Sequence, residues 1–136
     1  MSSKPRPRPD VFNTGFWQAA REGRFTIQRC DDCGDAHYPG TPVCPKCLSS
    51  SQSWAPASGR GTLLSWVRFH RAYWDGFREE VPYGVVLVGL EEGPMMLSNL
   101  VGAEPEDCTI GEKLEVTLDT SDPEWTLPKW RRVGRA

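Results

Sequence analysis

At 136 residues the chain suffices for one ordinary domain or two small ones, and any segment too short to build its own core needs a staple such as a metal. Its 16 Lys and Arg against 18 Asp and Glu give a formal charge of −2 and an isoelectric point near 5.7; this counts against an electrostatic nucleic-acid binder, which usually carries a basic face and a pI above ~9. No run approaches the ~18–20 continuous apolar residues of a membrane span: the longest, residues 85–90, holds a glycine and is followed by Glu91-Glu92.

Residues 1–9 interleave Lys4, Arg6 and Arg8 with Pro5, Pro7 and Pro9, which forbids helix and sheet and predicts an extended, disordered polyproline-like tail, either solvated or a docking arm. No apolar stretch follows these bases, so nothing there looks like a secretory signal and a cytoplasmic chain is expected. Within residues 10–23 the pattern turns helical from Asn13 or Thr14 to Glu22, with Phe12, Phe16 and Ala19 or Ala20 on one face and Gly23 as the terminating residue. This short amphipathic helix packs either on the body of its own chain or on a partner, and the adjacent Phe16 and Trp17 are the candidate docking residues.

Residues 24–58 hold two Cys-x-x-Cys pairs, Cys30-Asp31-Asp32-Cys33 and Cys44-Pro45-Lys46-Cys47, ten residues apart. Two facing knuckles of this kind close a tetrahedron of thiolates around zinc, with no position left for a substrate, so the spacing predicts a structural metal site. Two disulfides are the alternative and require an oxidising compartment; zinc and iron are not separated by spacing. Four thiolates and one Zn²⁺ add −4 + 2 = −2, bringing the charge to about −4. A strand over 25–28 leads into the first knuckle, Trp54 lies in a strand leaving the second, and the polar runs 48–53 and 55–59 read as loop. The result is a rubredoxin-like zinc ribbon, in which His37 is a ribbon residue and not a ligand.

From residue 59 to 133 the signal is β. Runs 62–70, 83–91, 95–101, 113–119 and 125–131 are rich in β-branched, aromatic and aliphatic residues and are separated by turn chemistry. Glu91-Glu92-Gly93-Pro94 makes the second and third a hairpin, and Glu104-Pro105-Glu106-Asp107 opens a longer crossing with room for a helical turn. The fourth alternates polar and apolar residues; the second does not, which implies either central burial or an outer apolar surface covered by another protein. The fold class is therefore mainly β: a short helix, a zinc ribbon and a five-stranded barrel of the oligonucleotide/oligosaccharide-binding type, the OB-fold.

Fold alone does not give function. Two segments carry candidate chemistry. Arg68, His70, Arg71, Tyr73, Trp74 and Phe77 cluster where the first barrel strand ends, and Lys129, Trp130 and Arg131 form a basic, aromatic end to the last. Together they predict a positive strip for the phosphates of a nucleotide-containing cofactor, or a protein interface, against the plainer readings of a loop folded over the barrel end and a solvated terminus. No catalytic constellation is visible: the histidines are His37 and His70, four cysteines are committed to metal, and there is no phosphate-cradling glycine loop.

Phe16-Trp17, the two cysteine knuckles, Tyr38-Pro39, Gly59-Arg60-Gly61-Thr62, His70-Arg71, Val81-Pro82-Tyr83, Glu92-Gly93-Pro94, Ser98-Asn99-Leu100-Val101, Ile110-Gly111 and Leu127-Pro128-Lys129-Trp130 occur in the order of one family. The chain resembles the "domain of unknown function 35" proteins, zinc-ribbon plus OB-fold chains associated with acyl-CoA. The resemblance implies a non-catalytic accessory subunit of a thiolase-superfamily or aldolase partner in a heterotetramer, with the barrel extending the partner's acyl-CoA channel and the helix and ribbon docking the pair. Steroid side-chain retro-aldol cleavage is one implied setting, for which Trp74, Phe77, Met95 and Met96 are expected to form a bulky apolar rim. A stand-alone acyl-CoA-binding module and, more weakly, a single-stranded nucleic-acid binder are the alternatives. Met95-Met96 stands where many members carry an arginine after Gly-Pro, Cys108 where an aliphatic residue is usual, and Gly84 replaces a common valine to no end visible in the sequence.

Overall fold

The computed structural model describes residues 4–134. Helix α1 (Thr14–Arg21) turns Phe16, Ala19 and Ala20 inward. It ends in a Schellman motif: the Gly23 N–H donates to the Ala20 carbonyl at 2.9 Å and the Arg24 N–H to that of Ala19 at 2.8 Å, with Gly23 at φ +86° where a side chain would be strained. The chain then enters β1 (Thr26–Cys30), which pairs antiparallel with β2 (Ala36–His37) on one side and β3 (Gln52–Pro56) on the other. Five residue pairs, Thr26 with Pro56 to Cys30 with Gln52, stitch β1 to β3. That ladder overrides the polar composition that predicts loop on either side of Trp54.

The second sheet contains β4 (Arg60–Phe69), β5 (Tyr83–Leu90), β6 (Met95–Ser98), β7 (Lys113–Asp119) and β8 (Leu127–Arg132), all antiparallel in the order β6-β5-β4-β7-β8. Its two edges meet. Residues beyond β6 run parallel to β8, where the Trp130 N–H donates to the Asn99 carbonyl at 3.0 Å and the Val101 N–H to that of Trp130 at 2.9 Å. This closes a barrel and leaves no open edge along that stretch. Single 3₁₀ turns cover Asp75–Phe77 and Pro105–Asp107. The latter answers a question the sequence leaves open: a Cβ on Gly84 would lie 2.5 Å from the Pro105 ring, so the turn seats on β5 only because residue 84 has no side chain.

Leu63, Val86, Val88, Leu90, Met96, Leu114 and Trp130 fill the barrel, and Phe16, Phe25 and Ile27 fill the space under the ribbon. The two groups are continuous. The Phe25 ring meets Trp130 edge-on at 5.9 Å and 88°, and Phe16 meets Phe25 at 6.3 Å. β5 alternates after all, with Val86, Val88 and Leu90 buried and Val85, Leu87 and Gly89 half-buried on the outside. Its outer side therefore continues into an apolar patch with Leu97, 70% exposed, and Met95, 57% exposed.

Candidate metal centre and surface sites

Cys30 closes β1, and the first knuckle folds back on it: the Gly34 N–H donates to the Cys30 carbonyl at 2.9 Å and the Cys33 N–H points at the Cys30 Sγ at 3.5 Å. Gly34 takes φ +79° to make that turn. The second knuckle repeats the design, with the Leu48 N–H on the Cys44 carbonyl at 2.9 Å, the Lys46 N–H 3.3 Å from the Cys44 Sγ, and Leu48 at φ 67° in the place of the glycine. Facing each other, the knuckles set Cys30 Sγ 3.5 Å from Cys47 Sγ and Cys33 Sγ 3.6 Å from Cys44 Sγ. All four sulfurs lie within 4.8 Å of one another. A ZnS₄ tetrahedron with bonds of ~2.3 Å has edges of about 3.8 Å, whereas a disulfide is ~2.05 Å long, so the spacing fits a four-coordinate ion and no disulfide.

The thiols also disagree electrostatically. The Cys33 backbone N–H, with help from Asp32, draws the Cys30 thiol down to about 7. At Cys47 the Ser49 N–H acts in the same direction, but the hydrogen bond with Cys30 and burial outweigh it and push the thiol up to about 12. A thiolate is easily held at Cys30 and is not at Cys47 without a cation beside it. Beside them, buried His37 places Nε2 2.8 Å from Gln28 Oε1, which also accepts the Thr41 N–H at 2.8 Å. His37 and Asp35 form a second cluster with Cys44, whose sulfur the cysteine tetrahedron already uses. Gln28, Thr41 and His37 thus brace the loop that presents Cys44.

The predicted positive strip does not assemble. Arg68 is clamped between Glu104 at 2.9 Å and Glu106, whose side-chain hydrogen bonds hold its guanidinium charged. Lys129 pairs with Asp119 at 2.6 Å and Arg131 with Glu115 at 2.9 Å. Trp130 is 0% exposed and belongs to the core, so it has no surface to offer a ligand or a partner. Phe16 is likewise core; Trp17 is half-buried against Trp125 at 5.8 Å, and the helix therefore packs on its own chain. Phe77 stacks on Tyr83 at 5.3 Å. His70, Arg71, Tyr73 and Trp74 remain together at the loop tip, with Arg71 5.1 Å from the Tyr73 ring centre, Tyr73 64% exposed and Trp74 56% exposed. The apolar rim does not form either. Met96 is buried, and Met95 pairs with Gly89, six residues along β5 from Tyr83, on which Phe77 stacks, a separation of about 20 Å at ~3.3 Å per residue. Half-buried Cys108 packs against the core.

Residues 17–51 match the ChsH2 rubredoxin-like zinc ribbon domain and residues 54–119 the ChsH2 C-terminal OB-fold domain. The chain is 37% identical over 128 residues to a probable enoyl-CoA hydratase alpha subunit of Thermomonospora curvata, and 34% identical over 125 residues to the 3-oxo-4,17-pregnadiene-20-carboxyl-CoA hydratase alpha subunit of Mycobacterium tuberculosis. These alignments cover 94% and 92% of the chain but 40% and 39% of the relatives, so it spans about two-fifths of their length. Among solved structures, a chain of the Ltp2-ChsH2(DUF35) aldolase superposes with a TM-score of 0.83 at 35% identity, covering 93% of this chain and 98% of that one. A DUF35 protein of unknown function from Sulfolobus solfataricus shares the fold, with a TM-score of 0.62 at 13% identity over 87% of this chain and 82% of that one. A DUF35 domain-containing scaffold protein of Methanocaldococcus jannaschii is 33% identical over 104 residues, 75% of this chain and 73% of that protein. With a zinc ribbon, an OB-type barrel and this likeness over most of both sequences, the chain belongs to the DUF35 family.

Proposed function

We propose that the chain is a non-catalytic accessory subunit that assembles with a thiolase-superfamily enzyme and helps to form its acyl-CoA site, in a heteromeric acyl-CoA aldolase acting on a steroid side chain or in an acyl-CoA thiolase. The observation that carries this reading is its likeness to a chain of the Ltp2-ChsH2(DUF35) aldolase across 98% of that chain's length. The distribution of side chains supports it. His70, Arg71, Tyr73 and Trp74 share an exposed loop, a composition suited to gripping a partner or a nucleotide. The outer patch of Val67, Leu87, Met95 and Leu97 is the kind of apolar face that a partner covers. In this picture the metal keeps the ribbon rigid, and the partner supplies the nucleophile and the acid–base groups.

Co-expression with a thiolase-like enzyme, followed by sizing with light scattering, tests the reading. A mixed assembly of two copies of each chain is expected, with acyl-CoA bound more tightly by the assembly than by either chain alone. A chain that stays monomeric and still binds acyl-CoA tightly is a stand-alone binding module and overturns it. Tyr73→Ala and Trp74→Ala are expected to weaken assembly or acyl-CoA binding at least tenfold while leaving thermal stability unchanged, since both side chains are exposed.

A further inference from the structure

A groove of about 700 Å³ opens at one end of the barrel, between the loop after β4 and the β7–β8 hairpin. Tyr83, Leu100, Trp125 and Leu127 give it an apolar lining. The hairpin wall is firmly placed: Trp17 meets Trp125 at 5.8 Å, and Arg21 lies 5.8 Å from the same ring while donating to the Glu124 carbonyl at 2.9 Å. The rim is acidic, with Glu80, Glu104, Asp119 and Asp122. Of these, Glu104 is held by Arg68 and Asp119 by Lys129.

Glu80 and Asp122 both line the groove, as do residues 4–7. Lys4 pairs with Glu80 and sits 5.0 Å above the Phe77 ring. Arg6 reaches the rim, with Nε 3.3 Å from Asp122 and Nη1 2.9 Å from Glu124. The segment that does this carries a base at every second position and a proline between each. Such a chain is already extended before it binds, so little backbone freedom is lost on docking. Exposed ion pairs are individually weak and screened by salt, which makes the contact displaceable. Without residues 4–7, Glu80 and Asp122 would stand unpaired on the rim, the wrong sign for the phosphates of coenzyme A.

We infer that the rim of this groove is a recognition site for an extended, basic, proline-spaced segment, and that the chain's own residues 4–7, which line the groove and pair with its carboxylates, are held there as a releasable strap. The strap's tether gives it a local concentration in the millimolar range, so a free copy of the same segment competes poorly with it. The inference is independent of the accessory-subunit reading.

The probe is a labelled peptide, Lys-Pro-Arg-Pro-Arg-Pro, titrated by fluorescence anisotropy into the full-length chain and into full-length Lys4→Glu/Arg6→Glu. The variant is expected to bind the peptide at least tenfold more tightly than the wild type, with binding lost in 0.5 M salt or when Glu80→Gln and Asp122→Asn are added. Coenzyme A is expected not to displace the peptide. No binding to the variant, equal binding to both chains, persistence with the rim neutralised, or displacement by coenzyme A each overturns the inference. Lys4 and Arg6 are surface residues, and unchanged thermal unfolding is the control for folding. A separate measurement stands without the peptide: the ¹⁵N heteronuclear NOE of the Arg6 amide is expected to be close to that of the barrel in the wild type and to fall in the variant. A value already low in the wild type refutes the strap.

Discussion

Replacing Gly84 by alanine isolates one close approach and makes it measurable. A Cβ there would sit 2.5 Å from Pro105 Cγ and 2.9 Å from Cδ, whereas carbon pairs settle at ~3.5–4.0 Å, so the rigid ring must retreat by about 1 Å. Pro105 is buried and heads the turn whose neighbours Glu104 and Glu106 clamp Arg68, which limits that retreat. Overpacking of this kind costs about 1–3 kcal/mol, while alanine in place of a strand glycine returns about 0.4–1 kcal/mol through the unfolded chain. The net expectation is a loss of about 1–2 kcal/mol, read as a fall in Tm of roughly 3–8 °C for the zinc-loaded chain. Pro105→Ala should relieve it: in a double-mutant cycle by urea unfolding, the combined loss is expected to be about 1 kcal/mol smaller than the sum of the single losses. A Gly84→Ala chain as stable as the wild type, or additive losses, would show that the glycine is not there to admit the proline.

Cys44→Ser removes one corner of the sulfur tetrahedron; zinc analysis is expected to read one ion per wild-type chain and well below one in the variant, with β1–β3 amides exchanging quickly. Trp130→Ala is expected to lower stability by about 3–5 kcal/mol in urea unfolding, the range for emptying a large aromatic site, and to disturb ribbon as well as barrel resonances. The Lys129 hydrogen bond holds the Asp119 carboxyl down at about 2. Because that value lies below the ordinary carboxylate range near ~3.9, the stability it contributes is present above that range and lost as pH falls towards 2. The gap between wild type and Asp119→Asn is therefore expected to be constant above about pH 4 and to close below it; a gap that widens on acidification contradicts the sign.

Much of the architecture is written in local pattern. The polar–apolar alternation of residues 113–119 delimits β7 residue for residue, and the cysteine spacing alone brings four sulfurs together. What pattern cannot supply is the partner of a charge. Arg68 reads as a free phosphate ligand until Glu104 and Glu106, nearly forty residues on, fold against it. Trp130 reads as surface because lysine and arginine flank it, although its register opposite Val116 would have signalled the inward face had the pairing been known. Arg131 and Lys129 follow from the same register, each pointing at a carboxylate of β7. Met95 and Met96 look alike in sequence, and the pleat sends one out and one in.

The aromatic chain from Phe16 through Phe25 to Trp130 carries a practical lesson about taking the molecule apart. Residues 17–51 and 54–119 resemble two transferable modules, yet a cut between them would strand Phe25 in water and uncap the indole at the heart of the barrel, while a cut at 119 would discard the strand that bears it. Neither half owns its interior. Swapping ribbons between relatives is for this reason a problem of matching one pair of rings before it is a problem of matching metals, and chimeras that keep residues 25 and 130 from the same parent are the ones to build first.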